Sequence, residues 1–287
     1  MDSVTTPSKP RLTRRRFLVA YGGAALTVGV GALDAVAVEP RWVRVTHPDV
    51  TIKGLPAVWD GARIAHLTDL HVGPVIDVEY IARVVELANA EKPDLVVITG
   101  DFVSEGGATM PGLVDALRAL RGAMGRFAVL GNHDYWSGAP AVRSLLAAAG
   151  IEELSNKRRM FERRGHGLCV AGVDDLWEGR PDLAAALAGV PEAAPRIVLC
   201  HNPDYAEKMP HTPRVDLMLC GHTHGGQVKI PFGPRPRLPI RHRRYAAGLA
   251  DGPRCQVYTS CGLGMVGIPV RFNCRPELAI VTLRRGV

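Results

Sequence analysis

Five short groups of polar residues recur along this chain, and each directly follows a run of apolar residues. In chain order they are Asp69-Leu70-His71, Gly100-Asp101, Gly131-Asn132-His133-Asp134, His201 and Gly221-His222-Thr223-His224. Aspartate, asparagine and neutral histidine supply the oxygen and nitrogen ligands that borderline divalent metals prefer. Seven such ligands are more than one ion needs, and they are Asp69, His71, Asp101, Asn132, His201, His222 and His224. They fit two ions that share a carboxylate, a kind of site that hydrolyses phosphate esters.

The apolar runs before these groups read as β-strands, so each group stands where a strand ends and a loop begins. The first three strands are predicted over Arg63–Thr68, Leu95–Thr99 and Phe127–Leu130. The near-continuous apolar run Leu95–Thr99 is typical of a strand that is covered on both faces. Ligands of open α/β sheets gather beyond the carboxyl ends of the strands. The position of the groups therefore predicts one shared site at that edge, independently of their chemistry.

Predicted helices alternate with these strands. Asp77 is placed to cap a helix whose apolar residues recur at helical spacing, namely Ile81, Val84, Val85 and Ala88. A second helix follows Pro111, and a third covers Ala139–Ala149 and ends at Gly150. This alternation predicts an α/β domain with a buried sheet. The second half is richer in strands, predicted over Leu168–Val173, Ile197–Cys200, Leu217–Cys220, Gln256–Ser260 and Leu278–Leu283.

The ordered set DxH, GD, GNHD, H and GHTH resembles the motifs of the calcineurin-like metallophosphoesterases, over about Arg63 to Leu283. The resemblance implies a four-layer α/β/β/α sandwich of two mixed sheets flanked by helices. It further implies one metal held by Asp69, His71, Asp101 and His224, and a second held by Asp101, Asn132, His201 and His222. Asp101 would bridge the two divalent ions, and a shared water would become the attacking hydroxide. The mixed ligands suit Mn, Fe, Zn or Co, and the sequence does not choose among them.

The resemblance also assigns catalytic roles, to Asp101 as the bridging ligand and to His133. His133 would protonate the leaving oxygen or stabilise the developing charge, which a histidine can do near neutral pH. For Asp134 we favour a structural role over one in orienting a neighbour. Ser104 stands where the related protein phosphatases carry an aspartate, which argues against a protein phosphatase.

Two later stretches point to a bacterial branch of exported or membrane-associated phosphodiesterases. They are Gly225-Gly226-Gln227-Val228 and Ile268-Pro269-Val270-Arg271-Phe272-Asn273. That branch includes enzymes resembling the UDP-2,3-diacylglucosamine diphosphatases, so a membrane-anchored diphosphatase of this kind is the alternative to a phosphodiesterase. A metal-free binding module on the same fold would need a lost ligand, and all seven are present.

The N-terminus predicts a targeting segment. Arg14-Arg15-Arg16 precedes an uncharged, mostly apolar run over Phe17–Leu33, and Ala35-Val36-Ala37 offers small residues for cleavage. Residues 1–37 thus read as a twin-arginine-type signal or a membrane anchor, 38–62 as a lead-in and 63–287 as the metallophosphoesterase domain. Export to the periplasm, cell wall or medium and anchoring to the membrane both stay open.

Charge and cysteine content add two weaker expectations. The net charge of +7 lies partly in the leader, so no nucleic-acid partner is expected. A cluster of arginines could hold an anionic substrate or a membrane surface, or could simply be solvated: Arg235, Arg237, Arg241, Arg243 and Arg244. Cys255, Cys261 and Cys274 are close enough in sequence for one disulfide, whose pairing the sequence does not assign. The oligomeric state is not readable.

Overall fold

The computed structural model describes residues 14, 19, 29–104, 111–234 and 236–286. Most of the predicted leader over residues 1–37 lies outside the described residues, and so does Arg235 of the arginine cluster. Within the described part of the chain, no helix combines the length and the apolar character that crossing a membrane requires.

The first sheet is mixed. Its strands are β1 (Arg44–Thr46), β2 (Asp49–Lys53), β3 (Arg63–Leu67), β4 (Leu95–Thr99), β5 (Arg126–Val129), β6 (Glu152–Glu153) and β13 (Glu277–Gly286). The order across the sheet is β1-β13-β3-β4-β5-β6, and β2 also pairs with β13. The pairing of β3 with β13 is antiparallel, whereas β3, β4 and β5 run parallel to one another.

The second sheet is also mixed. Its strands are β7 (Lys157–Arg163), β8 (His166–Gly172), β9 (Arg196–Leu199), β10 (Leu217–Cys220), β11 (Gly248–Asp251) and β12 (Gln256–Thr259). They are ordered β11-β12-β10-β9-β8-β7. The central strands β8, β9, β10 and β12 are parallel, and the two edge strands are antiparallel to their neighbours.

Helices cover the outer faces of both sheets. Their bounds are α1 (Val78–Ala90), α2 (Leu113–Arg118), α3 (Asn132–Trp136), α4 (Ala139–Ala149), α5 (Leu183–Ala186) and α6 (Tyr205–Lys208). Helix α1 begins as predicted, because the Asp77 carboxylate accepts the Tyr80 N–H at 2.7 Å. Helix α4 ends at Gly150, whose φ of 70° lies in the left-handed region.

Alternating side chains divide the apolar core into layers. Along β3, Ile64 packs between the two sheets, whereas Ala65 packs against the helices of the first sheet. Along β9, Leu199 faces the first sheet and Val198 faces the outer helices α5 and α6. Successive residues of a strand point to opposite faces, so two stacked sheets give three apolar layers. The predicted four-layer α/β/β/α sandwich of two mixed sheets is confirmed.

Candidate metal centre

The parallel strands of both sheets end at one edge of the sandwich, and the predicted ligands follow these ends. Asp69 comes two residues after β3 and Asp101 two residues after β4, and α3 begins at Asn132 beyond β5. In the second sheet, His201 and His222 follow β9 and β10 in the same way. The sandwich thus gathers ligands from distant parts of the sequence at the carboxyl ends of its strands.

The structure brings these side chains into overlapping groups whose ligand atoms lie within 4.8 Å of one another. One group comprises Asp69, His71 and His224, and another comprises Asp101, His201 and His222. A third group joins His71 and Asp101 to His133. Six of the seven predicted ligands therefore form two triads, and the seventh, Asn132, is the neighbour of His133 in sequence.

The Asp101 carboxylate lies between the two triads. Its Oδ2 atom is 3.4 Å from His71 Nε2 and 3.2 Å from His201 Nε2. On the first side, His71 Nε2 and His224 Nε2 are 3.1 Å apart, and His224 Nε2 is 3.5 Å from Asp69 Oδ1. A single carboxylate thus faces imidazole nitrogens of both groups, which is the arrangement that a bridging ligand needs.

Backbone carbonyls fix the ring nitrogens of two histidines. His201 Nδ1 lies 2.7 Å from the Thr99 carbonyl, and His222 Nε2 lies 3.2 Å from the Pro239 carbonyl. A ring nitrogen that donates to a carbonyl leaves the other nitrogen with its lone pair free for a metal. The two remaining nitrogens, His201 Nε2 and His222 Nδ1, lie 3.1 Å apart inside the second triad.

At His201 the neighbouring Asp101 carboxylate outweighs burial and raises the pKa well above its ordinary value. Burial favours the neutral form of the other three ligand imidazoles. It lowers the pKa of His71 to about 4 and that of His222 to about 3. It also lowers the pKa of His224 well below the ordinary value and raises the pKa of Asp69. Neutral histidine is the form that binds a metal, and a cation would offset the cost of burying the Asp69 charge.

One buried polar atom supports the fit of these residues to a metal. Asn132 Oδ1 is buried and has no hydrogen-bond partner among the described residues. An amide oxygen without a donor costs free energy unless something else satisfies it, and a metal cation can do so. The donors present, two carboxylates, an amide and four imidazoles, are those that a borderline divalent ion accepts.

The backbone at the site is strained. Five of the seven predicted ligands have positive φ angles between 48° and 71°, namely Asp69, His71, Asp101, His222 and His224. For a residue with a Cβ, this left-handed conformation costs of order 1–3 kcal/mol, and such residues cluster at functional sites.

The motif glycines make this crowding possible, for two different reasons. Gly100 has a φ of 90°, a conformation that glycine adopts without the strain that a Cβ would bring. Gly131 and Gly221 instead lack the space for a side chain. A Cβ would lie 2.3 Å from Asp101 Oδ1 at Gly131 and 2.0 Å from Thr68 Oγ1 at Gly221. The requirement at these two positions is close approach.

Asp134 holds two motif loops together. Its buried carboxylate accepts the backbone N–H groups of Gly131, Asp101 and Phe102 at 2.8–2.9 Å. The charged acceptor thereby fixes the loop after β4 against the start of α3. Asp134 thus fixes the backbone of Asp101 and does not take part in the triads. The favoured structural role agrees with these contacts.

Replacing Asp134 with alanine should lower the free energy of unfolding by about 3 kcal/mol or more, because three buried donors lose their acceptor. Urea unfolding followed by circular dichroism measures the change. Asp115, whose side chain is 78% exposed, provides the matched control. Asp115→Ala should shift the free energy by no more than about 0.5 kcal/mol. Equal effects of the two substitutions would contradict the anchoring role of Asp134.

His133 is held by its backbone, and its ring is left less constrained. Its N–H donates to Asp101 Oδ1 at 2.9 Å. The ring packs edge-on against His71 and Trp136, with centroid separations of 4.7 and 4.6 Å. Burial lowers the pKa of His133. The side chain is half-buried and lines a cavity of about 440 Å³, so it can reach a bound ester.

Sequence reasoning missed three residues around the triads. The Trp177 ring lies edge-on to His222 at 4.4 Å, and Trp136 packs on His133. Asp175 accepts the Trp177 N–H at 2.7 Å and is fully buried. Asp175 follows β8 at the same edge, so the strand-end argument could have found it. The two tryptophans carry no spacing signal, because their contacts depend on the tertiary fold.

The segment that carries the arginine cluster passes beside the second triad, since the Pro239 carbonyl contacts His222. Its described arginines are exposed, namely Arg237, Arg241, Arg243 and Arg244. Arg244 pairs with Glu207, which offsets part of the positive charge. The remaining charge is free for an anion that approaches this side of the site.

This fold and these histidine–aspartate triads define a metal-dependent hydrolase of phosphate esters. The chain belongs to the calcineurin-like phosphoesterase family, whose model matches residues 62–226. The resemblance that the five motifs suggested is thereby confirmed.

Relatives match almost the whole chain. It is 32% identical over 282 residues to an uncharacterized metallophosphoesterase of Bacillus subtilis, YkuE, covering 96% of this chain and 98% of that protein. It is 34% identical over 282 residues to the phosphodiesterase YaeI of Escherichia coli, covering 95% and 99%. A transmembrane protein with a metallophosphoesterase domain from Danio rerio is 31% identical over 257 residues, covering 85% and 58%.

Proposed function

We propose that this protein is a phosphodiesterase that works with two divalent metal ions. The observation that carries the proposal is the pair of ligand triads on either side of Asp101. The similarity to a protein named as a phosphodiesterase favours diesters over monoesters. When bound, the ions would stabilise the charge of the phosphoryl group and provide hydroxide near neutral pH.

Each ligand set takes its residues from both sheets. Asp69, His71 and His224 would hold one ion, whereas Asn132, His201 and His222 would hold the other, and Asp101 would serve both. A pair of ions shared in this way lies about 3.5–4 Å apart in two-metal enzymes. Loss of Asp101 would leave both ligand sets incomplete, because this residue is common to them.

His133 is the residue that handles the proton of the leaving group. Its backbone bond to Asp101 places the imidazole beside the proposed metals, and its ring reaches the adjoining cavity. A proton held on the imidazole can pass to the ester oxygen that departs, or a hydrogen bond can stabilise that oxygen as its charge develops.

The test combines metal analysis with hydrolysis of two model esters. Full-length protein purified without chelator is analysed by inductively coupled plasma mass spectrometry and assayed with bis-p-nitrophenyl phosphate and p-nitrophenyl phosphate. We expect two ions per chain from among Mn, Fe, Zn and Co, with faster turnover of the diester. One ion per chain would contradict the dinuclear site. Two ions with faster turnover of the monoester would contradict the diester preference.

A second candidate is a membrane-anchored UDP-2,3-diacylglucosamine diphosphatase, and one observation favours it. The 440 Å³ cavity that His133 lines is otherwise mostly apolar. Among its lining residues, Trp136 and Ile268 are 57% and 60% exposed. An acylated substrate could place a chain on this surface while its pyrophosphate reaches the triads.

Replacing Ile268 with serine separates the two candidates. If an acyl chain binds in the cavity, the KM for UDP-2,3-diacylglucosamine should rise about tenfold, whereas turnover of bis-p-nitrophenyl phosphate should not change. Steady-state kinetics with both compounds measure the difference. Leu249, which is 45% exposed on the edge strand β11, supplies the control Leu249→Ser. No hydrolysis of the acylated nucleotide by the unmodified protein would exclude this candidate.

For the location of the enzyme, we propose that residues 1–37 act as a twin-arginine-type signal or an anchor for the domain over 63–287. The exposed arginines beside the second triad could then meet an anionic membrane surface. N-terminal sequencing of the mature protein separates cleavage near Val38 from anchoring. Co-sedimentation with phosphatidylglycerol vesicles, compared with phosphatidylcholine vesicles, tests the arginines.

A further inference from the structure

Two cysteines meet directly beneath the loop that carries His224. They are Cys261 and Cys274. Both sulfurs pack on Gly225, where an added Cβ would lie 2.6 Å from Cys261 Sγ and 3.0 Å from Cys274 Sγ. Cys274 also donates to the His224 carbonyl at 3.3 Å. The two sulfurs therefore lie next to each other and against the backbone of a predicted metal ligand.

The backbones of both cysteines are already fixed. The fully buried guanidinium of Arg271 donates to the Cys261 carbonyl at 3.0 Å and to the Cys274 carbonyl at 2.9 Å. The Cys261 N–H donates to Glu277 at 2.8 Å, and the Cys274 N–H donates to Glu39. These hydrogen bonds hold the two side chains in place beside each other, and a disulfide then needs rotation of the two sulfurs toward one another.

Small reagents have a route to this pair. Cys261 and Cys274 are only 4% and 5% exposed, but both line a cavity of about 230 Å³ at the surface. Three basic side chains share this lining with two acidic ones, so basic groups are in excess: Arg44, Lys229 and Arg275 against Asp34 and Glu39. Their charge favours the approach of an anionic thiol or disulfide, such as glutathione.

We propose that Cys261 and Cys274 form a reversible disulfide by exchange with a low-molecular-weight disulfide such as oxidised glutathione. One cysteine thiolate attacks the glutathione disulfide and releases one glutathione thiol. The other cysteine then attacks the mixed disulfide and releases the second. Two cysteine thiols are thereby oxidised with loss of two protons and two electrons, and one oxidised glutathione is reduced to two thiols.

The other cysteines lack one or the other property. All six cysteines are free thiols in this structure. Cys200 and Cys220 are close to each other, but both are completely buried in the layer between the second sheet and its helices. Cys255 is partly exposed and packs against that same layer. Cys261 and Cys274 differ from these residues because both sulfurs lie side by side and both line a surface cavity.

The proposed link joins two segments that support the first triad. Cys274 lies under His224. The chain after Cys261 packs on Asp69, since the Leu263 N–H donates to the Thr68 carbonyl at 3.0 Å and the Gly264 N–H donates to the Asp69 carbonyl at 2.6 Å. A covalent bond between the segments resists their separation. This consequence rests on the proposed function, and the formation of the disulfide does not.

Mass spectrometry tests the link itself. Reduced full-length protein is incubated with oxidised glutathione, its remaining thiols are alkylated, and it is digested with trypsin without reduction. Cleavage after Arg254 and Arg271 places Cys261 in peptide 255–271 and Cys274 in a separate peptide. We expect these two peptides to be joined, with loss of two hydrogen atoms, and to separate on reduction. A stable glutathione adduct, or no reaction, would overturn the proposal.

One variant removes an ambiguity and supplies the control. Peptide 255–271 also contains Cys255, so Cys255→Ser should form the same joined pair if Cys261 is the partner. Cys261→Ser and Cys274→Ser should each abolish it, with circular dichroism confirming that the variants fold. Loss of the pair in Cys255→Ser would assign the link to Cys255 and overturn the proposal.

A second measurement tests the consequence for the metal site. The cross-linked protein should lose metal to a chelator several-fold more slowly than the reduced protein, and Cys261→Ser should show no such difference after oxidation. Equal release rates would show that the link forms without holding the first triad. A protein that forms the link but contains no metal would contradict the proposed function and leave the disulfide assignment standing.

Discussion

Asp101→Asn should abolish phosphodiester turnover and leave the fold intact. The substitution keeps the size of the side chain, and the amide oxygen can still accept the His133 N–H. It removes the negative charge, and an amide nitrogen replaces Oδ2, the oxygen that faces both His71 and His201. Outer partners of metal ligands already contribute 10- to 100-fold to activity, so loss of a shared ligand should lower kcat/KM by more than about 100-fold.

Metal analysis and kinetics on the same sample distinguish this outcome from unfolding. We expect the metal content to fall together with kcat/KM, while the circular dichroism spectrum and the thermal midpoint stay close to those of the unmodified protein. Asp115→Asn is the matched control, because it makes the same chemical change on an exposed helix surface. An Asp101→Asn variant that retains both metals and full turnover would contradict the role of Asp101 as a shared metal ligand.

The buried strands were predictable because their environment is uniform. Leu95–Thr99 and Leu217–Cys220 are covered on both faces, so all their residues except Thr99 are apolar and the strand bounds match the apolar runs. The edge strand Lys157–Arg163 was not predicted, because it is rich in charged residues and half exposed. The strands Arg44–Thr46 and Asp49–Lys53 were also missed, and they lie in the predicted lead-in. Nearby prolines are typical of loops, and the partner of both strands is the last strand of the chain.

The location of the site was predictable for a geometric reason, and its fine structure was not. Polar residues at the ends of parallel strands meet at one edge, so Asp69 and His222 could be placed together although 153 residues separate them. The groups that orient the rings are the backbone carbonyls of Thr99 and Pro239. Every residue has a carbonyl, so no sequence pattern identifies which ones act in this way.

His133→Asn should lower kcat by about 10²- to 10⁴-fold while both metals are retained. The reason lies in how the residue is held. Its bond to Asp101 comes from the backbone N–H, which any residue at this position provides, so the substitution leaves that bond in place. Only the imidazole is lost, and with it the group that can give a proton to the leaving oxygen.

Metal content distinguishes the expected effect of the His133 substitution from that of the Asp101 substitution. Metal content should be unchanged in His133→Asn and reduced in Asp101→Asn, although turnover falls in both. His47→Asn makes the same substitution at an exposed ion pair with Glu91 and should leave kcat unchanged. An ester with a more acidic leaving group needs less help from a proton donor, so p-nitrophenyl diesters should show a smaller loss than alkyl diesters. An equal loss with both kinds of leaving group would mean that His133 stabilises phosphoryl charge and does not protonate the leaving oxygen.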